Sequence, residues 1–509
     1  MLRVVTAAES RSAEEQAIAA GDGTTLLSLM AAAGNALAEV VAERVPEGDL
    51  LVVTGPGNNG GDGWVAARVL HAAGRRVRVA SLVALSSLAG EASAAATLAI
   101  DAGVAWDHTE SPAADNVRGA AGIVDALLGI GATGAPRPNV AAWVDALNAS
   151  DAELICADIP TGVNADTGAV EGTAVRADVT VTFSAAKRGL VTYPGAGYVG
   201  DLIVADIGMG FEIAASAAAP EVWTAEEYAA LIPRPAPDVH KNQRGRVLVV
   251  AGSGTYPGAA VLAARGAARA GAGYVKLAVP EAIVQVVQSH LVSIPVVGLP
   301  SGRTGAFLSA ALERLLRLAR DFDAVVIGPG LTLADGAVVT ARGLVKSLPI
   351  PIVVDADGLN ALVDARGILD ARPAPTVLTP HPGELGRLLS VTTADVQHDR
   401  ISSSAEMATS MHTVVLKGAG TVISGNGRQV INTSGSSALA TAGTGDVLSG
   451  VIGALLANGL DPLDAGALGA YVHGREGEAA ASALTPLCVT AEDVVEFLPT
   501  AFREVLGEW

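Results

Sequence analysis

The chain is poor in cysteine, in aromatic residues and in lysine, and each scarcity excludes something. Cys156 and Cys488 are the only cysteines in 509 residues and lie in separate halves. Two isolated thiols make neither a disulfide framework nor a cysteine-rich metal cluster, and a cytoplasmic location is the expectation. Aromatics are 3% of the chain, so its cores must come from Ala, Val and Leu. No uninterrupted apolar run reaches the roughly 18 residues of a membrane span, so no membrane association is expected. Met1-Leu2-Arg3-Val4-Val5-Thr6 lacks a charged segment leading into an apolar core, so no secretory signal is expected. The formal net charge is -19, which argues against nucleic acid or an anionic membrane as partner. An anionic small molecule must then be held by local donors, not by the overall field. Only five lysines occur, at 187, 241, 276, 346 and 417. Lys187 and Lys417 fall inside motifs taken up below.

What the chain has is alternation. Short β-branched runs alternate with alanine-rich helical runs, and the length favours two or more domains. Strands are expected at 50–54, 77–81, 122–125, 154–158, 179–183, 246–251, 274–279, 324–327, 352–355, 376–379 and 413–417. Continuous apolar strands between helices predict parallel sheets covered on both faces, hence an α/β protein with two doubly wound domains. An Ala/Ser-rich stretch at 214–221 reads as a linker between domains at 1–213 and 222–509.

The strongest chemical signal is Thr441-Ala442-Gly443-Thr444-Gly445-Asp446, followed by the apolar helical run 447–456. Its glycines permit a tight turn, and a helix start adds unpaired N–H donors and a positive dipole end. That is an anion hole suited to phosphate, with Asp446 placed to take a proton from a substrate hydroxyl. The other glycine and carboxylate clusters of this half also follow expected strands. They are Gly252-Ser253-Gly254, Gly328-Pro329-Gly330, Asp355-Ala356-Asp357-Gly358, Thr379-Pro380-His381-Pro382-Gly383-Glu384 and Lys417-Gly418-Ala419-Gly420-Thr421. Strand carboxyl ends form the rim where open α/β sheets bind ligands. Neither H-E-x-x-H, G-x-S-x-G nor G-x-x-x-x-G-K-[ST] occurs, which weakens zinc-protease, serine-hydrolase and P-loop readings.

In the first half, the strand at 50–54 runs into Gly55-Pro56-Gly57-Asn58-Asn59-Gly60-Gly61-Asp62-Gly63, with a helix expected from 64 to 73. Gly55, Gly57 and Gly60 satisfy the G-x-G-x-x-G spacing, but no acidic residue lies between 75 and 90, where a dehydrogenase would bind ribose. The asparagines and Asp62 instead suggest contacts to a sugar, an amide or a cation. Asp125 and Asp158 end the next expected strands. Asn59, Asp125 and Thr161 supply hard oxygen ligands for a group I or II cation.

Gly57-Asn58-Asn59-Gly60-Gly61-Asp62-Gly63, Val124-Asp125-Ala126 and Asp158-Ile159-Pro160-Thr161-Gly162 resemble the YjeF N-terminal, or NAD(P)H-hydrate epimerase, family over about residues 1–213. The resemblance implies a Rossmann-like three-layer domain. It implies that Asn58, Asn59, Gly60, Gly61 and Asp62 hold the hydrated dinucleotide with Gly129, Ile130, Gly131, Ala132, Thr133, Gly134, Ala135, Asp158 and Lys187. It further implies K⁺ at Asn59, Asp125 and Thr161, and Asp158 is the residue expected to act in epimerisation. The second-half motifs together resemble the YjeF C-terminal family, the ADP- or ATP-dependent NAD(P)H-hydrate dehydratases of ribokinase-like fold, over about residues 222–509. This implies contacts to the hydrate from Ala259, Gly330, His381 and Asp446. Contacts to the nucleotide, with Mg²⁺, are implied for Lys417, Gly418, Ala419, Gly420, Thr421 and Gly445. Ala442 and Thr332 stand where relatives often have glycine.

In tandem the halves resemble the bifunctional NAD(P)H-hydrate repair enzymes. The implied substrates are the hydrates of NADH and NADPH with ADP or ATP, in a homo-oligomer, with Asp446 as the catalytic base. The competing reading is a ribokinase-like vitamin kinase with an accessory nucleotide-binding domain; it shares Gly443-Thr444-Gly445-Asp446 but leaves the Asn58-Asn59 segment unexplained.

Overall fold

Runs of Val, Leu and Ile bounded by glycine or proline form strands, and the alanine-rich segments between them form helices. The chain divides into two compact units that part between Ala219 and Pro220. The computed structural model describes residues 2–21, 23–112, 117–209, 219–372 and 374–507, and residues 214–218 of the expected linker lie outside these.

The first unit contains β1 (Leu2–Val5), β2 (Asp49–Thr54), β3 (Val77–Ser81), β4 (Ala105–His108), β5 (Ala120–Ala126), β6 (Glu153–Ala157), β7 (Val179–Phe183), β8 (Ala186–Lys187) and β9 (Asp201–Ala205). Seven of them form a wholly parallel sheet in the order β4-β3-β2-β5-β6-β7-β9. β1 and β8 pair separately, with Val4 opposite Ala186 and Val5 opposite Lys187. Alternate residues of the central strands serve opposite faces. Leu50, Val52, Val124 and Ile155 pack with Leu37, Val41 and Trp64, whereas Leu51, Val53, Ile123 and Cys156 pack with Val140, Trp143 and Leu147. Each such side chain contributes about 1.5–3 kcal/mol through burial. This is why the strands read as continuous apolar runs. Helix Leu26–Arg44 is long and apolar enough to cross a membrane, but it lays Leu29, Met30, Ala33, Leu37 and Val41 into this core.

One expectation needs correction. Residues 58–63 are not a turn preceding a helix at 64; the helix begins at Asn58 and runs to Ala72. Its glycines serve close approach. A Cβ on Gly60 would run into the Gly55 carbonyl, and one on Gly63 would lie 2.7 Å from Cβ of Ala126.

The second unit contains β10 (Glu221–Val222), β11 (Arg246–Val250), β12 (Tyr274–Pro280), β13 (Val296–Leu299), β14 (Ala324–Ile327), β15 (Ile352–Val354), β16 (Thr376–Leu378), β17 (His412–Leu416), β18 (Thr421–Gly425) and β19 (Arg428–Asn432). Their order is β13-β12-β11-β14-β15-β16-β17-β18-β19-β10. From β13 to β17 every pair is parallel. β18 pairs antiparallel with both β17 and β19, so this sheet is mixed, not purely parallel as expected. Asn426 and Gly427, at φ 50° and 71°, join β18 to β19; consecutive positive φ values suit the right-handed twist of a hairpin. On one face, helices Pro257–Arg269 and Thr444–Ala457 touch backbone to backbone. A Cβ on Gly266 would lie 2.5 Å from the Val447 carbonyl oxygen, and one on Gly450 2.8 Å from the Ala267 nitrogen.

The substitution Gly60→Ala is expected to destabilise the first unit by about 3 kcal/mol, because backbone cannot yield to the new methyl. Gly57→Ala, with φ -95° and nothing within 4 Å of the added atom, is expected to stay within about 0.5 kcal/mol of the parent. Urea unfolding of the two variants measures the difference.

Candidate active sites

In the first unit, the ends of β2, β5, β6 and β7 meet the start of helix Asn58–Ala72 around a cavity of about 370 Å³. Of the sequence-expected residues, Asn58, Asn59, Asp62, Gly129, Ile130, Asp158 and Lys187 line it. Ala132, Thr133, Gly134 and Ala135 line a second cavity of about 380 Å³ that shares Pro56 and Leu128 with the first. Gly60 and Gly61 are on neither wall; Gly60 packs on Gly55 and Gly61 on Met30. Gly131 lines neither cavity.

Asp158 sits at φ 62° just past β6. Its Oδ1 accepts from Lys187 Nζ at 2.5 Å, Thr182 Oγ1 at 3.0 Å and the Phe183 N–H at 3.3 Å. Lys187 is 1% exposed, and its other contacts are Thr182 Oγ1 and the Phe183 carbonyl. All three ammonium protons therefore have protein acceptors, and the lysine orients Asp158. Arg11 and Glu14, from helix Ala7–Ala19, also line the cavity. Sequence reasoning missed both, although the Thr6/Glu9 capping box that starts their helix is legible.

Behind this wall lies a chain of buried polar contacts. Asp125 accepts from the Thr161 hydroxyl at 2.8 Å, the Thr161 N–H at 2.9 Å and the Leu127 N–H at 3.2 Å. The Thr161 hydroxyl in turn accepts from the Leu128 N–H at 3.1 Å. Asn59 donates to the Leu128 carbonyl at 2.9 Å, while its buried Oδ1 has no partner among the described residues.

In the second unit, Gly328, Asp355, His381 and Lys417 follow the ends of β14, β15, β16 and β17, and so share one rim. Gly443, at φ 98°, caps helix Thr444–Ala457. Thr444 fixes the turn by donating to the Leu439 and Thr441 carbonyls at 2.9 and 3.0 Å. Lys417 Nζ binds Asp355 at 2.7 Å and lies 3.1 Å from where a Cβ of Gly445 would stand. A bare glycine thus lets the ammonium approach the helix start. Burial pulls the Lys417 pKa down, but Asp355 and Glu384 outweigh it and the net shift is upward. Burial, then Asp355, push the Asp446 carboxyl up to about 7 against the pull of Lys417. A carboxyl poised near neutrality is matched to proton abstraction from an alcohol.

Gly330 and Ala259 come together, with Ala259 Cβ 3.0 Å from the position a Gly330 Cβ would take. The Gly418–Thr421 turn is tied by buried Arg400, which donates to the Leu416, Lys417 and Gly420 carbonyls at 2.9, 3.2 and 3.3 Å. Burial lowers the Arg400 pKa to about 10. No expected strand or glycine cluster points to this arginine, and it was missed. His381 caps helix Pro382–Leu389. Its Nδ1 accepts from the Gly383 and Glu384 N–H groups at 3.0 and 3.3 Å, so the proton sits on Nε2, leaving a donor on a half-exposed ring. Thr332 keeps a glycine-like φ of 65°, with its N–H bound to Asp357 at 2.8 Å. The departure from glycine there leaves the loop conformation in place.

Known proteins match both halves. The family described as YjeF-related protein N-terminus matches residues 26–189, and that described as NAD(P)H-hydrate dehydratase matches 247–500. A bifunctional NAD(P)H-hydrate repair enzyme of Moorella thermoacetica is 37% identical over 467 residues, covering 90% of this chain and 88% of its own. One of Salinibacter ruber is 37% identical over 509 residues, covering 96% and 94%. Among solved structures, an ADP/ATP-dependent NAD(P)H-hydrate dehydratase of Bacillus subtilis, co-crystallised with ATP/Mg²⁺, superposes with TM-score 0.50. It is 29% identical and covers 56% of this chain and 99% of its own.

The raised Asp446 pKa has a consequence for stability. The folded chain keeps this proton between pH 3.8 and about 7 while the unfolded chain has lost it, so stability falls as pH rises through that window. Asp446→Asn removes the cost. It is expected to raise the second unit's unfolding free energy at pH 8 by on the order of 2–4 kcal/mol, with the gain vanishing near pH 4, as read by denaturant unfolding at both values.

Proposed function

The chain belongs to the family of bifunctional NAD(P)H-hydrate repair enzymes, and on that footing we propose how its two units divide the work. The epimerase domain is residues 1–213, the dehydratase domain 222–509, and 214–221 joins them. The first domain interconverts the R and S hydrates of NADH and NADPH, and the second returns the S hydrate to the dihydronicotinamide at the expense of ADP or ATP.

Hydroxide is a poor leaving group. In the second domain Asp446 removes the proton of the ring hydroxyl as its oxygen attacks the terminal phosphorus of the nucleotide. The new oxygen–phosphorus bond forms as the bond to the departing nucleotide breaks. The turn at Gly443–Gly445, the helix start and Lys417 hold the phosphates, and the Gly418–Thr421 turn holds the rest of the nucleotide. His381, through Nε2–H, and the Ala259/Gly330 surface position the hydrate. The ring nitrogen then expels phosphate, and loss of a proton from the neighbouring carbon restores the ring. Mg²⁺ bound with the nucleotide would supply positive charge against the phosphoryl group. Among the described residues no set of three or more His, Cys, Asp or Glu side chains gathers into a metal cage. That fits a metal carried mainly by phosphates and water.

K⁺ in the first domain fits the residues present. Among the described residues the buried Asn59 Oδ1 has no partner, and the Asn59 amide is linked to the Asp125–Thr161 network through Leu128. These three residues would hold the ion, and its charge would steady the loop after β5.

The observation that carries the dehydratase assignment is Asp446 at the start of a helix, with a carboxyl near neutrality and Lys417 beside the same turn. The test supplies purified chain with both hydrate epimers and ADP or ATP and follows recovery of dihydronicotinamide absorbance. Both epimers are consumed by the parent chain. Asp446→Asn is expected to lower dehydration about 10³-fold or more while nucleotide still binds and epimers still interconvert. In the parent, dehydration falls as pH drops through about 7, since the base works only when ionised. Turnover retained by the variant removes Asp446 from this role.

A further inference from the structure

Three carboxyl groups line the cavity of the first unit, and only one is held. Asp158 has Lys187, Thr182 and the Phe183 N–H on Oδ1. Asp62, 8% exposed and carried by helix Asn58–Ala72, has no hydrogen bond or ion pair among the described residues. Glu14, on helix Ala7–Ala19, has none either. Asp62 is buried and Glu14 half-buried, and a carboxyl withdrawn from water without a donor is costly to keep ionised. The charged groups facing these two are known. Burial first, then Asp158 and Glu14, raise the Asp62 pKa well above its usual value against Lys187. Burial, Asp158 and Glu15 raise that of Glu14 against Lys187 and Arg11.

One route to epimerise a carbon that bears a hydroxyl next to a ring nitrogen has the oxygen leave one face and return on the other. One group must give a proton and another must take one. We propose that Asp62 and Glu14 are this proton-transfer pair, working from two separate helices across the same cavity, with Asp158 facing the positive ring between the two steps. The proposal rests on the epimerase reading of the first unit.

The steps balance. Asp62 starts protonated and Glu14 ionised. The carbon–oxygen bond breaks with its electron pair going to oxygen, which takes the Asp62 proton and leaves as water. The nitrogen lone pair forms a carbon–nitrogen double bond, and the ring cation lies against the Asp158 carboxylate. A water molecule adds to the planar carbon from the other side. Its lone pair makes the new carbon–oxygen bond, the double-bond pair returns to nitrogen, and its proton passes to Glu14. The opposite epimer runs the sequence backwards, with the two residues exchanging roles. Lys187, fully engaged with Asp158, Thr182 and the Phe183 carbonyl, keeps Asp158 out of the proton traffic and acts as a positioning residue.

The experiment uses the full chain, one purified hydrate epimer, no nucleotide, and water enriched in ¹⁸O. Epimer ratio and oxygen mass are read together at early times and corrected for the uncatalysed reaction. The expected result is one solvent oxygen in each inverted molecule. Asp62→Asn and Glu14→Gln should each slow inversion by about 100-fold or more. Both variants should melt no lower than the parent in the absence of hydrate, which shows a folded chain. Inverted product that retains its original oxygen overturns the proposal, because inversion then proceeds through an opened ring. Inversion at the parent rate in either variant overturns it as well. A parent chain that does not invert the hydrate at all instead overturns the epimerase reading on which the proposal stands.

Discussion

Two of five lysines in this chain are spent on aspartates just past parallel strands: Lys187 on Asp158 and Lys417 on Asp355, at 2.5 and 2.7 Å. Parallel strands end with unpaired backbone groups and converging loops, so the rim of such a sheet concentrates polarity inside a mostly apolar body. An aspartate placed there must find a donor or lose its charge. Both units solve this with an ammonium, buried at Lys187 and half-buried at Lys417, and in both a neighbouring carboxyl has no partner among the described residues. Asp62 beside Asp158, and Asp446 beside Asp355, are raised by burial and by the charge next door. In each unit the lysine thus settles which carboxylate is paired and which is left to take up a proton.

Backbone proximity delivers these groups. Helix Thr444–Ala457 stands against helix Pro257–Arg269 with glycines at 266 and 450 where the chains touch. A side chain at either point would shift the helix whose first turn carries Asp446. In the first unit Gly60 and Gly63 press helix Asn58–Ala72 onto β2 and β5, which brings Asn59 and Asp62 to the cavity side.

Much of this was legible in the sequence. The central strands announced themselves because both faces are covered, as Val52, Val124 and Val326 illustrate. The missed strands are those whose surroundings differ. Ala105–His108 is an edge strand carrying Asp107 and His108, and β18 and β19 form an antiparallel hairpin whose Asn426-Gly427 turn was the available signal. The Gly-Asn-Asn-Gly-Gly segment was misread as a turn because glycine marks both tight turns and tight packing, and sequence alone does not separate them. Motif reasoning brought Asp446, Lys417, Asp158 and Asn59 to the strand-end rims where they sit, because they follow strands and glycines. It missed Glu14 and Arg400, which reach their sites through tertiary packing of ordinary helices.

The Gly418–Thr421 loop and the helix start at Gly443 also bear on how anions are met. Arg400 gives its hydrogen bonds to carbonyls that shape the Gly418–Thr421 loop, and the helix start at Gly443 offers dipoles, not net charge. The whole chain carries -19 and its ligands are anions, so encounter runs uphill against a repulsive field. Dissolved ions shorten the reach of that field. Capture should therefore quicken as ionic strength rises, the reverse of the trend for proteins that draw phosphates in with a basic surface.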